Sequence, residues 1–169
     1  FSLNWVYNIL DHKAEVERIV FEDLDTNNGF VLLPDMKWDG KQMNNLYLVG
    51  ICRKKGIRSL RDLTSQDLTL LNNIKVFGCR AIHEKYNIAP STLRIYIHYQ
   101  PSYYHFHVHF THLTNETPGC QVERAHLLDT VINNISLCSD YYKQATISFP
   151  VKETDELYLA YQKANQVNI

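Results

Sequence analysis

The sequence predicts an α+β domain: an antiparallel sheet with flanking helices. Three observations carry this. Stretches of alternating or continuous apolar residues are joined by short connections rich in Gly, Pro, Asn and Asp, which favours neighbouring strands that pair antiparallel. Between and after them lie segments with apolar residues at helical spacing. The 169 residues, 45% hydrophobic and 21% charged, suffice for one buried core and one domain over 1–169.

The elements follow in order. Residues 3–17 suit a first helix, with Leu3, Val6, Ile9 and Leu10 as its apolar stripe. Residues 18–22 and 30–33 read as two strands joined through the turn-forming run Asp25 to Gly29, giving a hairpin. Pro34 cannot donate to a ladder and ends the second strand, so residues 35–38 form a loop at its exit. Leu46 to Cys52 is a continuous apolar run, expected as a strand buried on both faces. Residues 53–56 form a basic turn. Thr64 to Asp67 resembles a capping box that opens a helix to about Tyr86, with Leu68, Leu71, Ile74, Ala81 and Ile82 inward. Leu93 to Tyr99 alternates as a strand, residues 100–102 turn, and residues 103–110 form the next strand. A helix is expected over 122–135, with Val122, Ala125, Leu128, Val131, Ile132 and Ile135 buried. An edge strand over 146–149 and a last helix over 153–165 complete the chain.

Charge and composition limit the function. The net charge of −1 gives no global basic field to attract nucleic acid or membrane, so any phosphate-bearing ligand needs a local site. No apolar run is long enough to span a bilayer and no signal peptide is recognisable. The chain starts at Phe1, which is expected of the interior of a longer protein. Cys52, Cys79, Cys120 and Cys138 form no Cys-x-x-Cys pair and are expected as free thiols in a reducing compartment. The glycosylation patterns at Asn115 and Asn134 are then chance matches.

The chemistry lies in residues 103–110. At strand period, Tyr103, His105, His107 and His109 share one face, while Tyr104, Phe106, Val108 and Phe110 share an apolar one. A short turn should bring His98 of the preceding strand to the same end of the sheet. Three readings compete. The imidazoles are satisfied polar groups on a half-exposed strand. Or they hold zinc with an open position, although no Asp or Glu follows nearby and the surroundings supply Ser102, Tyr103 and Arg124, which suit anions. Or a neutral imidazole attacks phosphorus and forms a covalent intermediate, with Lys37 and Arg124 meeting the negative charge.

The run from His105 to Thr111 has the His-x-His-x-His pattern of the histidine triad superfamily. Longer blocks, Ile95 to Thr111, Val122 to Leu128, Gly56 to Leu63 and Phe30 to Trp38, resemble the scavenger mRNA decapping enzyme family of that superfamily, from about Trp5 to the C-terminus. The resemblance implies a HIT-like fold. It also implies hydrolysis of the triphosphate bridge in cap dinucleotide or short capped RNA, releasing 7-methylguanosine monophosphate. His107 would be the nucleophile. His105, His109 and His98, with Lys37, Ser102, Tyr103 and Arg124, would orient and neutralise the phosphates. Trp5 and Met36 would sandwich the methylated base, Met36 standing where relatives commonly carry Leu, and a cationic base suits an indole face. Glu15, Asp35 and Pro34 would line the same pocket. No metal or other cofactor is implied. A homodimer in the cytoplasm or nucleus is, as is an N-terminal domain that closes over the site and is absent from this chain. The alternatives are a histidine-triad nucleoside phosphoramidate hydrolase, a cap-binding module without turnover, and a zinc protein.

Overall fold

The computed structural model describes residues 2–165. Six antiparallel strands form one sheet in the order β1-β2-β3-β5-β4-β6. They are β1 (Phe21–Glu22), β2 (Phe30–Pro34), β3 (Tyr47–Cys52), β4 (Leu93–His98), β5 (His107–His112) and β6 (Ala125–Leu127). The helices are α1 (Asn4–Leu10), α2 (Leu68–Tyr86), α3 (Leu128–Leu137), α4 (Tyr141–Gln144) and α5 (Glu156–Asn165). The expected α+β architecture is therefore the one observed. None of these helices is long and apolar enough to cross a membrane.

The register sorts β3 and β5 into two faces. Gly50 pairs with Val108 and Leu48 with Phe110, so these look to one side with Cys52. Val49 pairs with His109 and Ile51 with His107, so these look to the other. On the first side α2 covers the sheet through Leu70, Leu71, Ile74 and Ile82. The approach is close: a Cβ at Gly78 would lie 2.6 Å from the Phe110 ring, so any other residue at this helix position would force the ring or the helix to shift. On the other side α1 lays Val6, Ile9 and Leu10 over Val31, Leu33, Val49 and Ile51.

The hairpin forms as expected, Phe21 opposite Leu32 and Glu22 opposite Val31. The capping box is also present at Thr64 and Asp67, but it caps a 3-10 turn over Ser65–Asp67 that feeds α2. Asn87 in the left-handed region (φ 55°) ends α2.

Several boundaries differ. The first helix stops at Leu10 and not at residue 17, because His12 (φ 56°) and Glu15 (φ 55°) are left-handed and cannot continue it. Residues 16–18 make a separate 3-10 turn, so the first strand begins only at Phe21. The histidine strand begins at His107: residues 102–105 bend and the Tyr103 ring folds back onto His107. Tyr104 is consequently exposed and not buried. The helix expected over 122–135 begins at Leu128. Residues 125–127 instead add β6 to the open edge of β4, and Val122 is exposed. Residues 146–149 join no ladder. Ile147 and Phe149 pack against the core as irregular chain. The last helix starts at Glu156, after Asp155 accepts from the Lys152 amide; residues 166–169 lie outside the described residues.

Candidate active site

The imidazoles of β5 owe their position to the pleat and their tautomers to what each ring touches. The backbone oxygen of His105 accepts from Nδ1 of His107 at 2.7 Å. A carbonyl only accepts, so the His107 proton sits on Nδ1 and its Nε2 is a bare lone pair. That Nε2 is buried and has no hydrogen-bond partner among the described residues. Burial, opposed by the bond to His105, pushes His107 down to about 4, so the ring is uncharged at neutral pH.

The neighbours follow the same logic. His105 lies ahead of the strand and donates from Nε2 to the Cys52 carbonyl at 2.8 Å. His98 donates from Nε2 to the Gly119 carbonyl at 2.8 Å. That loop passes so close that a Cβ at Gly119 would fall 2.5 Å from the His98 nitrogen. The His98 and His109 rings lie 4.1 Å apart, so the neighbouring strand does bring a fourth imidazole to the row. His109 differs from the others: its Nδ1 meets the Tyr47 hydroxyl at 3.0 Å. Burial depresses His98 and His105, and holds His109 well below its ordinary range, with the Lys37 ammonium and the repulsion that protonated His107 or His98 would exert adding to it.

Beside this row opens a cavity of about 450 Å³. Asp35, Lys37, His98, Ser102, Tyr103, His109 and Arg124 all line it, although they come from five separate places in the chain. His107 does not line it. The Tyr103 ring lies parallel to the His107 ring at 3.9 Å and meets the edge of Trp5 at 4.7 Å, so Tyr103 joins the cavity to both.

The residues expected to bind a base are gathered less tightly. Trp5 is 44% exposed on α1 and Met36 is 85% exposed in the loop after β2. Arg18 ties two of the others together, donating to the Glu15 carboxylate at 2.5 Å and to the Pro34 carbonyl at 2.9 Å. Asp35 accepts from the Lys37 amide at 2.9 Å, which fixes the loop carrying Met36.

Sequence reasoning missed part of the lining. Tyr47, Gln100, Pro118, Gly119 and residues 150–152 also face the cavity, Lys152 bringing a third cation to its wall. Tyr47 was findable, since it shares a strand face with Val49 and Ile51. Lys152 was not, because one lysine in a polar stretch carries no pattern. Among the described residues no group of three or more His, Cys, Asp or Glu side chains is arranged to hold a metal ion.

The family model and the curated relatives point to the same family. The family model described as "Scavenger mRNA decapping enzyme C-term binding" matches residues 4–125. A protein of Ascaris suum named m7GpppX diphosphatase is 53% identical over 157 residues, 93% of this chain and 52% of that protein. One of the same name from Mus musculus is 53% identical over 165 residues, 98% of this chain and 49% of that protein. The chain thus spans about half the length of the curated relatives it matches. A solved structure described as "Hnt3 in complex with DNA and guanosine" is 13% identical with a TM-score of 0.47, covering 87% of this chain and 77% of that one.

Proposed function

This chain belongs to the scavenger mRNA decapping enzyme family, and on that premise we propose that it hydrolyses the triphosphate bridge of cap dinucleotide or short capped RNA, releasing 7-methylguanosine monophosphate. The observation that carries the reading is the pair of nitrogens of His107: Nδ1 tied to a carbonyl, Nε2 neutral, bare and unpartnered. A buried lone pair without a partner costs stability, and it suits a nucleophile held ready for phosphorus.

In this reading the methylated base stacks on the open face of Trp5, with Met36 opposite. Glu15, held by Arg18, and Asp35 accept from its N–H edge, beside Pro34. The phosphates enter the cavity, where Lys37, Arg124, Ser102, His98 and His109 meet their oxygens. Tyr103 covers the face of His107, but attack uses the in-plane lone pair. Tyr103 therefore has to shift only far enough to admit phosphate at the ring edge. Nε2 bonds to the phosphorus nearest the methylated nucleoside. The bond from that phosphorus to its bridging oxygen breaks, and the electron pair leaves with the nucleoside diphosphate. The His105 carbonyl steadies the positive charge that the ring then carries. Water next bonds to phosphorus, the P–N pair returns to Nε2, and the water proton leaves to solvent. A homodimer, and residence in the cytoplasm or nucleus, belong to the same reading through the family resemblance.

The test uses the full-length protein and His107→Ala. Release of monophosphate from cap dinucleotide should fall by about 10³-fold or more. Quenching of tryptophan fluorescence by 7-methylguanosine monophosphate should persist. Substantial residual turnover in the variant would refute the nucleophile. Binding without turnover in the unmodified protein would indicate a cap-binding module, and absent quenching would favour a phosphoramidate hydrolase.

A further inference from the structure

Three of the four imidazoles of the row have one nitrogen committed to a backbone carbonyl: His105 to Cys52, His107 to His105 and His98 to Gly119. A carbonyl cannot donate, so each of these rings has its proton assigned by the backbone. His109 has no such carbonyl among the described residues; its Nδ1 meets the Tyr47 hydroxyl at 3.0 Å, a group that both donates and accepts. The other nitrogen of His109, Nε2, is buried without a partner among the described residues, and the ring lines the cavity with Lys37, Ser102 and Arg124.

We propose that Tyr47 is a positioning residue that donates its O–H into Nδ1 of His109 and so places the ring's single proton on Nε2, making His109 a hydrogen-bond donor beside the lone pair of His107. The inference rests on reading the cavity as a phosphate site. A neutral imidazole has one proton to place, and an anion in the cavity needs it on the cavity side. Burial keeps His109 uncharged and the phenol protonated, so the hydroxyl has its proton to give. The Tyr47 ring is itself fixed, with the Lys37 ammonium 5.6 Å from its centre and Tyr47 opposite Thr111 in the ladder. The Tyr96 ring stacks on His109 at 5.2 Å and stops it from turning. Two histidines two residues apart are thereby set to opposite tautomers, one to attack phosphorus and one to hold its oxygen.

Histidine-selective ¹⁵N labelling of the full-length protein tests this, because long-range proton–nitrogen correlations report the protonated nitrogen of each ring. His109 should show its proton on Nε2 in the unmodified protein and a mixture of tautomers in Tyr47→Phe. In the same variant kcat for cap dinucleotide should fall roughly tenfold, with affinity for 7-methylguanosine monophosphate within about twofold. A proton on Nδ1 in the unmodified protein would overturn the proposal, and that spectrum decides it even if Tyr47→Phe does not fold. An unchanged tautomer in the variant, or a changed tautomer with unchanged kcat, would overturn it as well. Failure of the unmodified protein to turn over cap dinucleotide would defeat the phosphate reading instead, while the spectra would still report the direction of the bond.

Discussion

Val108 and Phe110 of β5 are sealed beneath α2, whereas His107 and His109 of the same strand look to the opposite face. All four are buried to within a few per cent. The difference lies in what buries them. On the α2 face the covering side chains Leu70, Leu71, Ile74 and Ile82 are apolar, and the gain is transfer out of water with tight packing. On the opposite face the neighbours are aromatic rings, hydroxyls and backbone carbonyls, and Nε2 of His107, Nε2 of His109 and the Tyr96 hydroxyl lack partners among the described residues. One pleated strand therefore separates its apolar packing from its unpartnered polar groups by one residue of phase. The face carrying the histidines is itself divided. α1 seals the β2–β3 side with Val6, Ile9 and Leu10, and the β4–β5 side opens into the cavity.

The sharpest way to break the comparison is Phe110→Ala. It empties the space against Gly78 without touching the histidines and should cost about 3–5 kcal/mol of unfolding free energy in urea titration. Turnover per folded molecule should stay close to that of the unmodified protein. A large loss of kcat with little loss of stability would mean that the two faces are not separable.

Acid offers a second probe. His107 takes up its proton at about 4 in the folded protein against 6.5 unfolded, so the unfolded chain binds more protons between those values. The contribution of His107 is therefore fully present above pH 6.5 and is lost as pH falls toward about 4. Unfolding free energy should drop by about 2 kcal/mol from this residue between pH 7 and pH 5. His107→Asn should flatten that part of the profile, and identical profiles would show that the ring is not held uncharged.

Arg124→Ala is the mildest change. It should lower kcat/KM for cap dinucleotide about tenfold, as the loss of one charged hydrogen bond to phosphate does, and leave the urea midpoint nearly unchanged. An unaltered kcat/KM would place the guanidinium outside the path of the phosphates.

The α2 face was legible because burial leaves a pattern, continuous in Leu46 to Cys52 and at helical spacing in Leu71, Ile74 and Ile82. The site was legible where it follows strand alternation, as at His107 and His109, or a neighbouring strand, as at His98. Contacts from irregular chain left no trace. The fold of Tyr103 onto His107, the Gly119 carbonyl on His98 and the arrival of Lys152 depend on where loops return in space, which no local spacing encodes. β6 was misread for a related reason. Its Ala125 to Leu127 segment runs straight into α3, so helical spacing masked a short strand defined only by its partner.

Gly78 sets the height at which all this stands. With hydrogen where other helix residues carry carbon, α2 leaves the Phe110 ring a space that a Cβ at this position would invade, 2.6 Å from the ring. The layer spacing beneath β5 is thus set at this point by a ring facing backbone, not by two interleaved side chains. Any bulk added to the helix at this point would press on the ring beneath the histidines, so the level of the row depends on a single hydrogen one layer away.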